Sequence, residues 1–94
     1  MPGTPVTTQS FARSYWIAFQ ISNTSSAGNS QSYAMEFLLD ELVNSADDYE
    51  KLGKAIHALD WVIKKWGYRN VRVDVFSVQP LLTQGSQVTL LKFK

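Results

Sequence analysis

The chain of 94 residues contains no cysteine. This absence excludes disulfide bridges, thiol nucleophiles and zinc sites built from cysteine. No apolar run approaches the roughly 20 residues that a membrane-spanning helix needs. The first ten residues, MPGTPVTTQS, carry no charged side chain and no long apolar run, so they lack the pattern of a secretory signal. We therefore expect a soluble, cytoplasmic protein that does not bind a membrane.

Motifs that carry catalysis are also missing. The phosphate loop GxxxxGK[ST], the dinucleotide fingerprint GxGxxG and the zinc motif HExxH are absent. The single histidine, His57, lies three residues before Asp60, a spacing that brings two side chains together on a helix. Such a pair can orient an imidazole for proton transfer, but no nucleophile or second acid accompanies it. We therefore predict a non-enzymatic protein with no catalytic residue, no cofactor and no metal site.

The residues that are present fit one folded domain. Apolar residues make up 45% of the chain and charged residues 18%, a balance typical of globular proteins. Pro2, Gly3 and Pro5 indicate a flexible tail over residues 1–10, which a single domain over 11–94 would follow. A chain of this size has a thin core, so dimerisation would add useful buried surface.

The charges are distributed unevenly along the chain. Residues 1–50 carry one base and six acids, a net charge of −5, whereas residues 51–94 carry eight bases and two acids, a net charge of +6. One interpretation is a helix with acids near its start and bases near its end, matching the helix dipole. The other is a polarity that steers partners or favours head-to-tail self-contact.

The first half contains one clear strand and one ambiguous segment. Residues 14–22 alternate between two faces, as a half-buried strand does. Residues 33–44 fit both periods, and their Ala, Met, Glu and Leu content slightly favours a short helix. If 33–39 is instead a strand, the uncharged stretch SNTSSAGNSQS, residues 22–32, folds into a hairpin end. In both cases we interpret this stretch as a connection rather than a ligand site.

The second half predicts a long helix over 46–66 with clear end signals. Ser45 is a good N-cap, Asp48 takes the third position of a capping box, and Gly67 stands at the C-cap. One face of this helix is apolar and should bury against a sheet. Its members are Leu52, Ile56, Leu59, Ile63 and Trp66.

Two strands complete the predicted fold. Over 71–80 the apolar alternation slips at Phe76, which predicts a bulge, a twist or a strand covered on both faces. Residues 87–94 are predicted to form the last strand. The predicted fold class is α+β: a two-layer sandwich in which an antiparallel sheet of three or four strands packs against one long helix over 46–66. A short helix over about 33–44 is its optional additional element.

Trp61 is predicted to lie nearly opposite the apolar face of the long helix, beside His57, Lys54 and Lys65. A large aromatic ring among charges indicates a contact outside the two-layer core. The ring can pack under residues 33–44, anchor a homodimer or bind another protein. We hypothesise a small interaction or regulatory module that acts through protein–protein contacts as a homodimer, with these four residues at the interface.

Nucleic-acid binding is the alternative hypothesis. Its candidate contacts are four bases of the basic aromatic segment 64–72: Lys64, Lys65, Arg69 and Arg72. Bases attract phosphates, and aromatic rings stack on nucleobases. If Trp16 and Lys92 share the open face of the sheet with Arg72, this face resembles a single-strand platform in general physical terms. The net charge of only +1 argues against this function, and dipole matching at a helix end explains the bases as well.

Overall fold

The computed structural model describes residues 13–25, 29–81 and 88–94, so the predicted tail over 1–10 lies outside the described residues. The fold is α+β, with a four-stranded sheet in the order β3-β1-β2-β4 and two helices. The elements in chain order are β1 (Arg13–Asn23), β2 (Ser30–Leu39), α1 (Ala46–His57), α2 (Asp60–Trp66), β3 (Val71–Pro80) and β4 (Thr89–Leu91).

Strand β1 lies inside the sheet and confirms the predicted alternation. Its buried apolar side chains, none more than 8% exposed, are those of Tyr15, Ile17, Phe19 and Ile21. Between them, Trp16 is 43% exposed. Because successive side chains of a strand point to opposite faces, the buried set defines the face that the helices cover.

The short helix predicted over 33–44 is wrong, because residues 30–39 form β2. This strand pairs antiparallel with β1 along its whole length. The pairing satisfies its backbone and buries Phe37 and Leu39 at 2% and 0% exposure. Tertiary contacts therefore override the helix propensity of this segment. The alternative of a hairpin is confirmed, and Asn23 N donates to Asn29 O at 2.9 Å near its tip.

The single helix predicted over 46–66 is also wrong, because two shorter helices replace it. Between them, Leu59 has extended backbone angles, φ −67° and ψ 143°. No proline or glycine stands at this break, so the sequence carries no local signal for it. The break resets the helical phase, so that Val62 is fully buried and Trp61 packs against the core.

The helix ends match the prediction in position and differ in their contacts. Ser45 is the N-cap of α1, but its side chain makes no cap hydrogen bond. The buried Asp48 carboxylate instead accepts a hydrogen bond from Asn44 N at 2.7 Å. Gly67 ends α2 with a φ of 85°, a conformation that favours glycine.

The sheet is mixed rather than purely antiparallel. Strand β3 is antiparallel to β1, but β4 is parallel to β2, over residues 89–91 opposite 37–39. The predicted slip in β3 is a bulge, since Val75 pairs with Phe19 and Ser77 pairs with Ala18. Phe76 is therefore the extra residue, and it is 57% exposed.

Helix α1 lies close to β3 at Gly53, a buried glycine within the helix. A Cβ atom at this position would lie 2.9 Å from Val73 O, which is too close for ordinary contact. The absence of a side chain therefore lets the helix backbone reach the strand. Leu52 and Ile56, on either side of this contact, are fully buried with the inward side chains of β1.

Candidate functional site

Trp61 contacts its own chain. Its ring meets the Tyr33 ring edge-on, with centroids 5.2 Å apart and planes at 65°. Tyr33 in turn stacks on Phe19 at 5.3 Å and accepts a hydrogen bond from Trp66 Nε1 at 3.2 Å. Of the three interpretations of Trp61, the structure shows the first, a contact with the segment that follows residue 32. Because the helix breaks at Leu59, a continuous helical wheel does not describe the position of this ring.

His57 pairs with an aromatic residue rather than with Asp60. Its ring stacks on Tyr68 with centroids 4.8 Å apart and planes at 19°, and its Nε2 lies 2.9 Å from Tyr68 O. Asp60 forms an ion pair with Lys64 at 3.2 Å instead. Within the described residues, the imidazole therefore has no carboxylate partner of the kind that proton transfer in a His–Asp pair requires.

The other two interface candidates, Lys54 and Lys65, line separate surface depressions. The first depression, of about 350 Å³, is lined by Glu50, Gly53, Lys54, His57, Arg72, Val73 and Asp74. The second, of about 270 Å³, is lined by Asn23, Asn29, Ser30, Gln31, Lys65 and Trp66. In the second, Lys65 Nζ donates to Gln31 Oε1 at 3.4 Å. Lys54 therefore shares a depression with His57, whereas Lys65 lines a different one.

The four nucleic-acid candidates do lie together, at the end of the sheet where β1 ends, β3 begins and α2 ends. A hydrogen bond from Thr24 N to Asn70 O, 2.8 Å long, joins the two turns there. We call this the basic end. It carries five bases and three acids, a net charge of +2: Lys54, Lys64, Lys65, Arg69 and Arg72, with Glu50, Asp60 and Asp74.

The opposite end of the sheet, which we call the acidic end, carries a net charge of −1. Its charged residues are Glu36, Asp40, Glu41, Asp47 and Asp48, with Arg13, Lys51, Lys92 and Lys94. Lys94 Nζ lies 3.4 Å from the Asp48 carboxylate and donates to Leu42 O at 2.7 Å. The Asn44 N–H bond, with the smaller help of Lys94, holds the pKa of Asp48 below its ordinary value of 3.8, although burial acts in the opposite direction.

The face of the sheet opposite the helices, which we call the open face, carries two exposed aromatic rings. The first, Trp16, is 43% exposed and pairs with Gln79 and Glu36 on its neighbouring strands. Two residues further along β1, on the same face, Ala18 pairs with Ala34 and lies beside the bulge that contains Phe76. The alternation in β1 indicated that Trp16 points away from the core. Phe76 follows Val75, which pairs with the inward Phe19, so strand alternation points its ring to the same face as Trp16, and the bulge then returns Val78 to the covered face opposite Ile17.

Among residues 13–25, 29–81 and 88–94, no group of three or more His, Asp or Glu side chains has an arrangement that would hold a metal ion. In the same part of the chain, no helix is long and apolar enough to cross a membrane. No family model matches this chain, and neither a curated protein nor a solved structure matches it.

Proposed function

We propose that this chain is a non-catalytic interaction module of the cytoplasm that self-associates as a homodimer through the open face of its sheet. The observation that carries the proposal is the exposure of Trp16 and Phe76, at 43% and 57%, on the face that neither helix covers. Aromatic rings are enriched among the residues that dominate binding energy at protein interfaces. The small side chains of Ala18 and Ala34 beside them leave room for rings from a second sheet.

The size of the open face sets the expected strength of the dimer. Three strands of about ten residues present roughly 33 Å by 15 Å, or about 500 Å² per copy. A standard stable interface buries about 800 Å² per partner. We therefore expect association at micromolar concentration rather than an obligate dimer.

The charge distribution supports a second copy as the partner. A twofold axis across the strands lays the basic end of one copy, with a net charge of +2, over the acidic end of the other, with −1. On the open face itself, Arg72 already forms an ion pair with Asp74 at 3.0 Å. This pairing leaves little excess charge there to attract a strongly charged partner.

Light scattering after size-exclusion chromatography tests the proposal over a range of concentrations. Phe76→Ser should raise the dissociation constant of the dimer at least about tenfold, because a ring at the centre of an interface carries much of its energy. Trp16→Ser should act in the same direction.

Tyr68→Ser is the matched control, because Tyr68 is a similarly exposed aromatic, at 62%, outside the open face. It should leave the dimer unchanged. A wild-type monomer at all concentrations, or equal weakening by the control, would overturn the proposal.

A further inference from the structure

We infer that the basic end binds single-stranded nucleic acid through its phosphates and one stacked base. Three of its bases, Lys54, Lys65 and Arg69, form no ion pair with an acid in the described parts of the chain. Such side chains keep their attraction for phosphate, because no internal partner neutralises them. The other two are ion-paired on the surface, where competing phosphates exchange easily with carboxylates.

The turn at Tyr68 places an aromatic ring among these bases. Tyr68 is 62% exposed, and its one ring contact within the described residues is the stacked His57. His57 Nε2 also lies within hydrogen-bonding distance of Tyr68 O, and this contact holds the turn against α1. The ring is therefore both oriented and accessible, which is the arrangement that unpaired nucleobases stack on.

The two depressions described above supply polar partners near this turn. The depression beside Lys54 is also lined by His57, whose ring stacks on the ring of Tyr68. The one beside Lys65 is lined by the hairpin residues Asn23 and Asn29, whose strand end is tied to the turn through Asn70. Lysine, amide and hydroxyl groups are the usual donors to phosphate and sugar oxygens.

A single strand fits these observations better than a duplex. Bases within a duplex are already stacked on their neighbours, so a lone exposed ring has no base face to meet. The site lies at the helix side of the basic end, away from Trp16 and Phe76. The inference therefore does not depend on the homodimer proposed above.

The expected salt dependence follows from the number of phosphates that are contacted. For three contacts, the slope of log affinity against log salt is about −2 for a single strand. Affinity should therefore fall roughly 20-fold between 50 and 200 mM salt.

Fluorescence anisotropy with a labelled 12-residue oligo-dT tests the inference on the full chain. The variant Lys65→Gln/Arg69→Gln should weaken binding at least about tenfold, through the loss of two phosphate contacts. Arg13→Gln/Lys92→Gln removes the same net charge at the acidic end and should change binding less than about twofold. Tyr68→Ala should weaken binding about fivefold or more and leave the salt slope unchanged.

Each remaining outcome counts for or against the site. Retained binding by Phe76→Ser would confirm that the site is independent of the dimer. Equal losses in the two double variants would show attraction by overall charge alone and would overturn the inference. Absence of wild-type binding at 50 mM salt, or stronger binding to a duplex of the same length or to phosphatidylserine vesicles, would also overturn it. Circular dichroism of every variant excludes unfolding as the cause of a loss.

Discussion

The aromatic rings on the two faces of the sheet differ in burial: those on one face pack against each other, and those on the other are exposed to solvent. On the covered face, Phe19, Tyr33 and Trp61 contact one another in sequence, at centroid distances of 5.3 and 5.2 Å. On the open face, Trp16 and Phe76 are 43% and 57% exposed. The same residue types therefore hold the fold together on one side and remain available for contact on the other. Residue type alone does not separate the two roles; the strand register and the helix break do.

The comparison is sharpest for the two tryptophans Trp61 and Trp16. Trp61→Ala should lower the free energy of unfolding by about 3 kcal/mol, because it removes a ring packed on Tyr33 and leaves a cavity. Trp16→Ala should cost less than about 1 kcal/mol in the monomer, because its ring is already largely hydrated. Urea unfolding at low protein concentration measures both. Equal losses would contradict the assignment of the two faces.

The close contact of α1 with β3 predicts the next largest effect. Gly53→Ala places a Cβ 2.9 Å from Val73 O, so helix and strand must separate. We expect a loss of about 1–2 kcal/mol, since overpacking outweighs the better helix propensity of alanine. Thermal unfolding checks this loss, and Ser45→Ala is a useful comparison because the Ser45 side chain makes no cap hydrogen bond. A stabilised Gly53→Ala variant would contradict the close approach.

Acid should selectively weaken the end of the covered face where α1 begins. The pKa of Asp48 is lowered in the folded chain, so its contribution to stability is present above its ordinary value of 3.8 and is lost as the pH falls through the lowered folded pKa. The melting temperature of wild type should therefore exceed that of Asp48→Asn at pH 7, and the difference should shrink towards pH 3. A difference that grows with acid would show that the sign is wrong. Asp47→Asn, on an exposed neighbour, is the control.

The smallest effect on stability should come from a substitution at the basic end. Lys65→Gln removes an exposed side chain whose contact is a 3.4 Å hydrogen bond to Gln31, so unfolding should change by less than about 0.5 kcal/mol. Its effect should appear in oligonucleotide binding instead. Chemical denaturation and anisotropy on the same variant separate the two roles. A loss of stability comparable to that of Trp61→Ala would show that the basic end is part of the core.

Short-range sequence patterns correctly predicted several local features of the fold. The alternation in β1, the helix start at Ser45, the helix end at Gly67 and the slip at Phe76 are all found in the structure. Each has a short-range cause: the period of a strand, the capping of a helix, or an extra residue in a ladder. The four bases of segment 64–72 lie together for a similar reason, because a helix end and a tight turn keep close residues close.

The sequence by itself determined the α+β class, the absence of cysteine chemistry, the covered side of β1 and the uneven distribution of charge. Only the tertiary structure decided that residues 30–39 are a strand, that β4 runs parallel to β2, and that the helix breaks at Leu59. These three depend on contacts between segments far apart in the chain. Burying the Trp61 ring against Tyr33 outweighs the few backbone hydrogen bonds of an unbroken helix, since each of those is worth only about 1 kcal/mol net. The hydrophobic periodicity of a short segment carries no information about a contact such as Trp61 with Tyr33, 28 residues away in the chain. Packing between distant segments therefore determined which residues lie on each face of the sheet.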